Sequence, residues 1–345
     1  MRLKDRFVRL IAATGPISLA QFMAESNARY YDSRDPLGRA GDFITAPEIS
    51  QMFGELIGLW LADLWDRAGR PARVHYVELG PGRGTLARDA LGAARRFGLV
   101  PQVHFVEASR TLGAVQRSLI ADATWHQDLT TLPDDAPLLI VANEFLDALP
   151  VRQLVRTAGG WRERMVGIDG DRLIPVAGAK PMDAAVPPAF QDAAQGTIIE
   201  TCPAAAALTG EVARRLAAQG GAALIIDYGR TAAATGSTLQ ALRAHAPVDP
   251  FACPGEADLT AHVDFAILAE IAQQAGARWM GTIEQGRFLL ALGLAARAEA
   301  LCRAAPASTD AVRAAAHRLA APGAMGRLFK VMALGAPDWP AGAGF

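Results

Sequence analysis

Residues 74 to 91, VHYVELGPGRGTLARDAL, restrict what this chain can become more than any other stretch. The apolar run VHYVEL reads as a buried strand, and glycines at 80, 82 and 84 end it in a turn. Glycine accepts positive φ and lets a ligand come close to the main chain. The following helix presents its unpaired N–H groups and positive dipole end to that bend. A strand, a bare turn and a helix in this order form a cradle for a small nucleotide-bearing ligand, and they commit the chain to an α/β architecture.

The flanking pattern agrees. VHFVEA (103–108), a weaker ATWHQD (123–128) and PLLIVANEF (137–145) read as further strands separated by helices. Such alternation produces a parallel sheet covered on both faces. Upstream, residues 1–73 read as a helical cap. Ser18 with Gln21 forms a capping box, and TAPE (45–48) a second, with Thr45 as N-cap and Glu48 at the third position. Ile49, Met52, Phe53, Leu56, Ile57, Trp60, Leu61 and Leu64 then make one apolar stripe, predicting a continuous helix that stops at Gly69. Residues 151–196 break the rhythm. Their apolar–polar alternation around Gly159-Gly160 and Asp169-Gly170 predicts inserted antiparallel hairpins. The parallel pattern returns over 197–335 with a helix (204–218), a strand (222–228), a Pro- and Gly-rich loop (229–259), a helix (264–275), a strand (277–283), two helices and a last strand, RLFKVMAL (327–334). The predicted division is thus a cap (1–73), a core (74–150 with 197–335) and an insert (151–196). The tail PDWPAGAGF is expected to fray.

Bulk properties exclude several function classes. The 345 residues carry 34 basic and 35 acidic side chains, too balanced for a surface that coats nucleic acid. No apolar run reaches the roughly 18 residues that cross a bilayer, and MRLKDRFVRL lacks the pattern of a secretion signal. Cys202, Cys253 and Cys302 are scattered without a CxxC pair, which fits a reducing cytoplasm. The six histidines are dispersed and none has zinc-site spacing, so no metal is expected.

Two cofactors use a strand–glycine turn–helix unit. A dinucleotide site has G-x-G-x-x-G, whereas Gly80, Gly82 and Gly84 form G-x-G-x-G and Thr85 stands where the third glycine belongs. Glu78 precedes the turn. A pyrophosphate is repelled by a nearby carboxylate, and a sulfonium with an amino group is attracted. The expected cofactor is therefore S-adenosyl-L-methionine (SAM). Glu107, at the carboxyl end of the second strand, is placed to accept both ribose hydroxyls, and Asp128, after the third, the adenine amino group. Asn143, Glu144 and Asp147 follow the most apolar strand, at the end where the methyl group is expected.

Six stretches, GDFITAPEISQMFGELIG (41–58), VELGPGRGTLARD (77–89), ANEFLDALPVRQ (142–153), GEADLTAHVDF (255–265), QGRFLLALG (285–293) and MGRLFKVMAL (325–334), occur in order along almost the whole chain. In these the chain resembles the MidA-like family of class I SAM-dependent methyltransferases, which includes the mitochondrial complex I assembly factor that methylates an arginine. The resemblance implies a seven-stranded sheet whose last strand is antiparallel. It also implies that the GDFITAPE segment lies over the cofactor, with Asp42 and Thr45 offering polar contacts and Phe43 an apolar cover. An arginine of a protein is then the expected substrate, a complex I subunit being the first candidate. Glu144 and Asp147 are expected to clamp the guanidinium, with His262 or Asp264 in the substrate channel. The absence of a presequence pattern fits a bacterial member. Besides a small-molecule or tRNA substrate, the latter disfavoured by the near-zero net charge, two alternatives remain. One is a SAM-binding assembly chaperone that holds a partner with helix 46–66 and the β insert. The other is a nicotinamide-dependent oxidoreductase. Oligomeric state stays open.

Overall fold

The computed structural model describes residues 2–33, 45–243 and 246–345; the expected cofactor contacts Asp42 and Phe43 lie outside these residues. Seven strands form the spine: β1 His75–Leu79, β2 Gln102–Val106, β3 Thr124–His126, β4 Leu138–Asn143, β5 Gly221–Arg230, β6 Arg278–Glu284 and β7 Phe329–Gly335. They lie in the order β3-β2-β1-β4-β5-β7-β6. β1 to β5 pair in parallel, and β7 runs antiparallel to both β5 and β6. The sheet holds one strand more than the seven expected, because β5 extends past its neighbours and Val263–Asp264 pairs with its end at Gly229 and Arg230. Strand order reverses between β1 and β4, and the crevice outside their carboxyl ends is where such sheets bind ligands.

Strand period 2 sends alternate side chains to opposite faces. Tyr76, Leu139 and Val141 join one apolar layer with the helix Gln51–Arg67. Val77, Leu79, Leu138 and Ile140 join the other with the helices Pro203–Gln219 and Phe265–Gln274. The predicted continuous helix 46–66 is instead two. Ala46–Ile49 ends at Ser50, whose extended backbone (φ −164°, ψ 141°) caps Gln51–Arg67 by accepting from Met52 N. Thr45 makes no side-chain cap, so only the Ser18 cap forms, through Gln21 N at 3.0 Å. The long helix crosses Thr85–Arg95 closely enough that a Cβ on Gly58 would lie 2.1 Å from Ala90 O.

Residues 152–181 form three antiparallel strands, Arg152–Thr157, Gly160–Asp169 and Arg172–Pro181, with turns at Gly160 and Gly170 in positive φ. Their sheet also takes in Ile198–Thr201 and Ile17–Ser18, both outside 151–196. The stretch 229–259, expected as loop, contributes strands Gln240–Arg243 and Ala246–Val248, which join Asp258–Thr260 in a small sheet. Four helices rather than two lie between β6 and β7: Gln285–Ala291, Leu294–Ala304, Thr309–Ala320 and Met325–Leu328. The tail does not fray. Trp339 is buried, Trp60 Nε1 donates to Ala343 O at 3.1 Å, and the Phe345 ring lies 5.3 Å from that of Phe288. Among the described residues no helix is long and apolar enough to cross a membrane.

Three of the dispersed histidines converge. His75, His104 and His126 occupy neighbouring strands. Their rings form a row: His75 Nδ1 to His104 Nε2 at 3.0 Å, and His104 Nδ1 to His126 Nε2 at 3.0 Å. The row ends on Asp135 Oδ1 (2.9 Å from His75 Nε2) and Thr131 Oγ1 (2.8 Å from His126 Nδ1). Burial pushes the His104 imidazole down to about 4 and lowers that of His126.

Candidate active site

A cavity of about 680 Å³ opens outside the carboxyl ends of β1 and β4. Its floor includes Gly80 and Gly82, with φ of 63° and 54°, whereas Gly84 (φ 83°) does not line it and stands at the start of the helix Thr85–Arg95. Gly80 N donates to Val106 O at 3.0 Å, tying the turn to β2. A Cβ on Gly80 would fall 2.4 Å from Phe145 Cδ2, so the turn after β1 and the turn after β4 touch through a bare main chain. Thr85, which replaces the third dinucleotide glycine, donates through Oγ1 to Glu48 Oε1 at 2.6 Å. Arg83 also reaches Glu48, at 3.8 Å. A carboxylate at the start of this helix disfavours a pyrophosphate there.

Burial governs the acidic residues. Glu78 is 2% exposed, accepts from the Tyr76 hydroxyl at 2.6 Å and is pushed up to about 8 by loss of water, against the lowering effect of that bond. A cation in the cavity favours its ionised form. Glu107 takes Ser109 N at 2.7 Å on Oε1 and Gln116 Nε2 at 3.0 Å on Oε2, and burial raises it as well. Each oxygen keeps acceptor capacity for a hydroxyl. Asp128 does not line the cavity. It is exposed, its carboxylate accepts from Thr130 N and Oγ1, and these bonds hold it below the usual range. Its side chain caps the short helix Leu129–Thr131.

The segment after β4 carries the rest. Asn143, Glu144 and Asp147 all line the cavity, as does Thr45. Asn143 Oδ1 is buried without a hydrogen-bond partner among the described residues. Glu144 holds a positive φ of 51°, a conformation that costs a non-glycine residue about 1–3 kcal/mol. Its N–H donates to Ile226 O at 2.8 Å, and its Oε1 accepts from Ala46 N at 3.0 Å and Asn143 Nδ2 at 3.2 Å. It thereby anchors the helix Ala46–Ile49 beside the turn. Burial pushes Glu144 up to about 7 and Asp147 up to about 6, the Tyr228 hydroxyl opposing the rise at Asp147.

Several lining residues carry no motif. Asp227 underlies the site: its Oδ2 accepts from Phe145 N (3.2 Å), Leu146 N (2.9 Å) and Asp147 N (3.2 Å), which shapes the whole turn. Burial, then Asp147 and Glu144, raise its carboxyl well above the usual range. From the helix Leu19–Ser33 come Asn27 and Tyr31. Asn27 bonds Ala148 O (3.0 Å), Leu259 O (2.8 Å) and Leu259 N (3.0 Å), and the Tyr31 hydroxyl bonds Asp258. Tyr228 and Asp258 complete that end of the cavity. The one available signal was the polar IIDY ending of the β5 run, at Asp227 and Tyr228. His262 lines the cavity with its ring 5.5 Å from that of Tyr228. Asp264 does not. It caps the helix Phe265–Gln274 and pairs with Arg230 at 3.1 Å.

These residues suit SAM. The bare turn leaves room for its backbone-like amino-acid end, buried carboxylates favour a cation, Glu107 can take hydroxyls, and the orphaned Asn143 oxygen needs a donor. Comparisons agree. A family profile described as an S-adenosyl-L-methionine-dependent methyltransferase matches residues 56–283. Human mitochondrial protein arginine methyltransferase NDUFAF7 is 36% identical over 329 residues, covering 84% of this chain and 73% of that protein. Its mouse counterpart is 35% identical over 364 residues, covering 94% and 82%. A crystal structure of a Burkholderia thailandensis protein bound to S-adenosyl-homocysteine matches with a TM-score of 0.85 and 31% identity, over 99% of this chain and 93% of that one. The chain belongs to the MidA-like family of S-adenosyl-L-methionine-dependent methyltransferases.

Proposed function

We propose that this enzyme transfers a methyl group from SAM to a guanidinium nitrogen of an arginine in a protein. The observation that carries the reading is the carboxylate pair of half-buried Glu144 and buried Asp147, which line the same cavity as the glycine turn. The names of the 35–36% identical relatives support it.

When bound, SAM supplies an electrophilic methyl and a good leaving group. The chain's own residues then supply alignment and charge. An arginine is always protonated in water, and its spread charge leaves its nitrogens weakly nucleophilic. Asp147 holds one edge of the guanidinium, concentrates positive charge there and frees another nitrogen to react. Glu144 is held on one side by Ala46 N and Asn143 Nδ2, and its remaining oxygen completes the clamp. With a carboxyl near neutrality, Glu144 takes up the proton that the substituted nitrogen loses. Glu78, Gly80, Gly82, Gly84, Glu107 and Asn143 hold the cofactor, and Thr45 borders it.

The same proposal divides the chain into cap 1–73, core 74–150 with 197–335, and insert 151–196 for substrate or partner. On the family resemblance, a respiratory complex I subunit in a bacterial cytoplasm is the first candidate substrate. Asp147→Asn keeps the shape and removes the charge. It is expected to leave S-adenosyl-homocysteine affinity within about threefold and to lower kcat at least ~100-fold. Comparison by mass spectrometry of cellular proteins with and without the enzyme is expected to show arginine marks of about 14 or 28 Da disappearing. Unchanged arginine marks alongside normal cofactor binding would remove the arginine assignment.

A further inference from the structure

We propose that Gln116 is a positioning residue for the cofactor, one amide that fixes the glycine turn and the strand-end carboxylate Glu107 relative to each other. It rests on the SAM site and is independent of the arginine substrate. Gln116 lies on the helix Arg110–Leu119 and is fully buried. Its Nε2 donates both protons, one to Gly82 O at 2.7 Å and one to Glu107 Oε2 at 3.0 Å. Its Oε1 accepts from Trp125 Nε1 at 2.8 Å.

These three bonds leave the amide a single orientation. Flipped, its oxygen would face two acceptors and its NH₂ group would face the indole N–H. Trp125 therefore orients Gln116, and Gln116 orients the site. Gly82 and Glu107 follow different strands, β1 and β2, and among the described residues no other side chain bridges them by hydrogen bonds. The Gln116 helix also packs on the turn from outside: a Cβ on Gly84 would lie 3.9 Å from Gln116 Cγ, in ordinary contact. Gln116 is not among the cavity-lining residues, so it acts only through the Gly82 carbonyl and the Glu107 carboxylate. With Ser109 N on the other oxygen, it holds Glu107 in one rotamer with both oxygens still able to accept.

Calorimetry with S-adenosyl-homocysteine at pH 8 and pH 6, paired with thermal melting of the same full-length samples, tests this. Gln116→Glu keeps length and the Trp125 acceptor but sets a carboxylate against two acceptors. Its affinity is expected to be at least ~10-fold weaker than wild type at pH 8. Part of that ratio returns at pH 6, where the introduced carboxyl takes up a proton and donates again. Gln116→Met is expected to weaken binding at both pH values without recovery. Trp125→Phe, a milder change that releases the amide orientation, is expected to weaken it several-fold and guards against the loss of folding in the other two. Ratios within about twofold of wild type in the folded variants, even with a lowered Tm, would reduce Gln116 to a packing role and overturn the proposal. Wild-type protein that fails to bind S-adenosyl-homocysteine would instead overturn the cofactor site itself.

Discussion

Glu78 ties cofactor affinity to pH. Its carboxyl is pushed up to about 8, and only its ionised form attracts a cation. Affinity for SAM is therefore greatest above pH 8 and falls as protons reoccupy the group, by at most about tenfold per pH unit. Titration calorimetry from pH 9 to pH 6 is expected to show that decline, and Glu78→Gln should flatten it. A wild-type affinity independent of pH would mean that Glu78 does not sense the cofactor charge. Glu78 lines the cavity beside the glycine turn, but its protonation was not legible in the chain, because burial is a tertiary property. Asp128 lies apart from the lining residues. A carboxylate after a strand looked like a ligand group, yet a threonine two residues later gave it a local partner. The bonds of Asp227 and Asn27 to the site were hidden for another reason, although the IIDY ending marked Asp227 itself. Their partners in the turn after β4 and at Leu259 lie 80–82 and 121–232 positions away, and no short spacing records such a bond.

At the scale of elements, periodicity was reliable wherever local preference and burial agreed. The glycine turn, the helix after it and the strands β1, β2, β4 and β5 all lie where the pattern put them, within a few residues. It failed where a single backbone conformation decided the outcome, as at extended Ser50 inside an unbroken apolar stripe. It failed again at 229–259, where Gly and Pro suggested loop but pairing with Asp258–Thr260 made strands. The crossing of Gln51–Arg67 over Thr85–Arg95 gives a test with an unusual sign. Replacing a helix-interior glycine by alanine ordinarily stabilises by about 0.5–1 kcal/mol. At Gly58 the added methyl would meet a backbone carbonyl at 2.1 Å, so the helices must part. Gly58→Ala is expected to destabilise by about 2 kcal/mol and lower Tm by roughly 3 °C in a calorimetric scan. A rise in Tm would show that the crossing has slack.

For the molecule as a whole, the order of strands places chemistry before any side chain is chosen. The reversal between β1 and β4 opens the crevice, and the two turns that meet there bring Gly80 against Phe145. The N-terminal helix Leu19–Ser33 and the small sheet at Asp258–Thr260 then close one end of the cavity through Asn27. The alternation of strands and helices made the spine legible. The closure by distant segments was not, since it depends on how the cap and the later loops fold back.

The imidazole row beneath β1, β2 and β3 has a consequence of its own. Asp135 demands a proton from His75, so each neutral ring in turn must donate toward the same end and accept from the other. Acid breaks that ordering. His104 and His126 bind protons less readily folded than unfolded, so their contribution is complete above about pH 6.5 and is lost as pH falls toward 4. Hydrogen exchange between pH 7 and pH 4.5 is expected to show protection lost first at Gln102–Val106 and Thr124–His126, while Gly221–Arg230 keeps it. Uniform loss across all strands would refute this. Where protection is lost in that order, a single carboxylate sets the direction of the three imidazole protons, and the strands β2 and β3 are the seam along which acidification begins to unpick the fold.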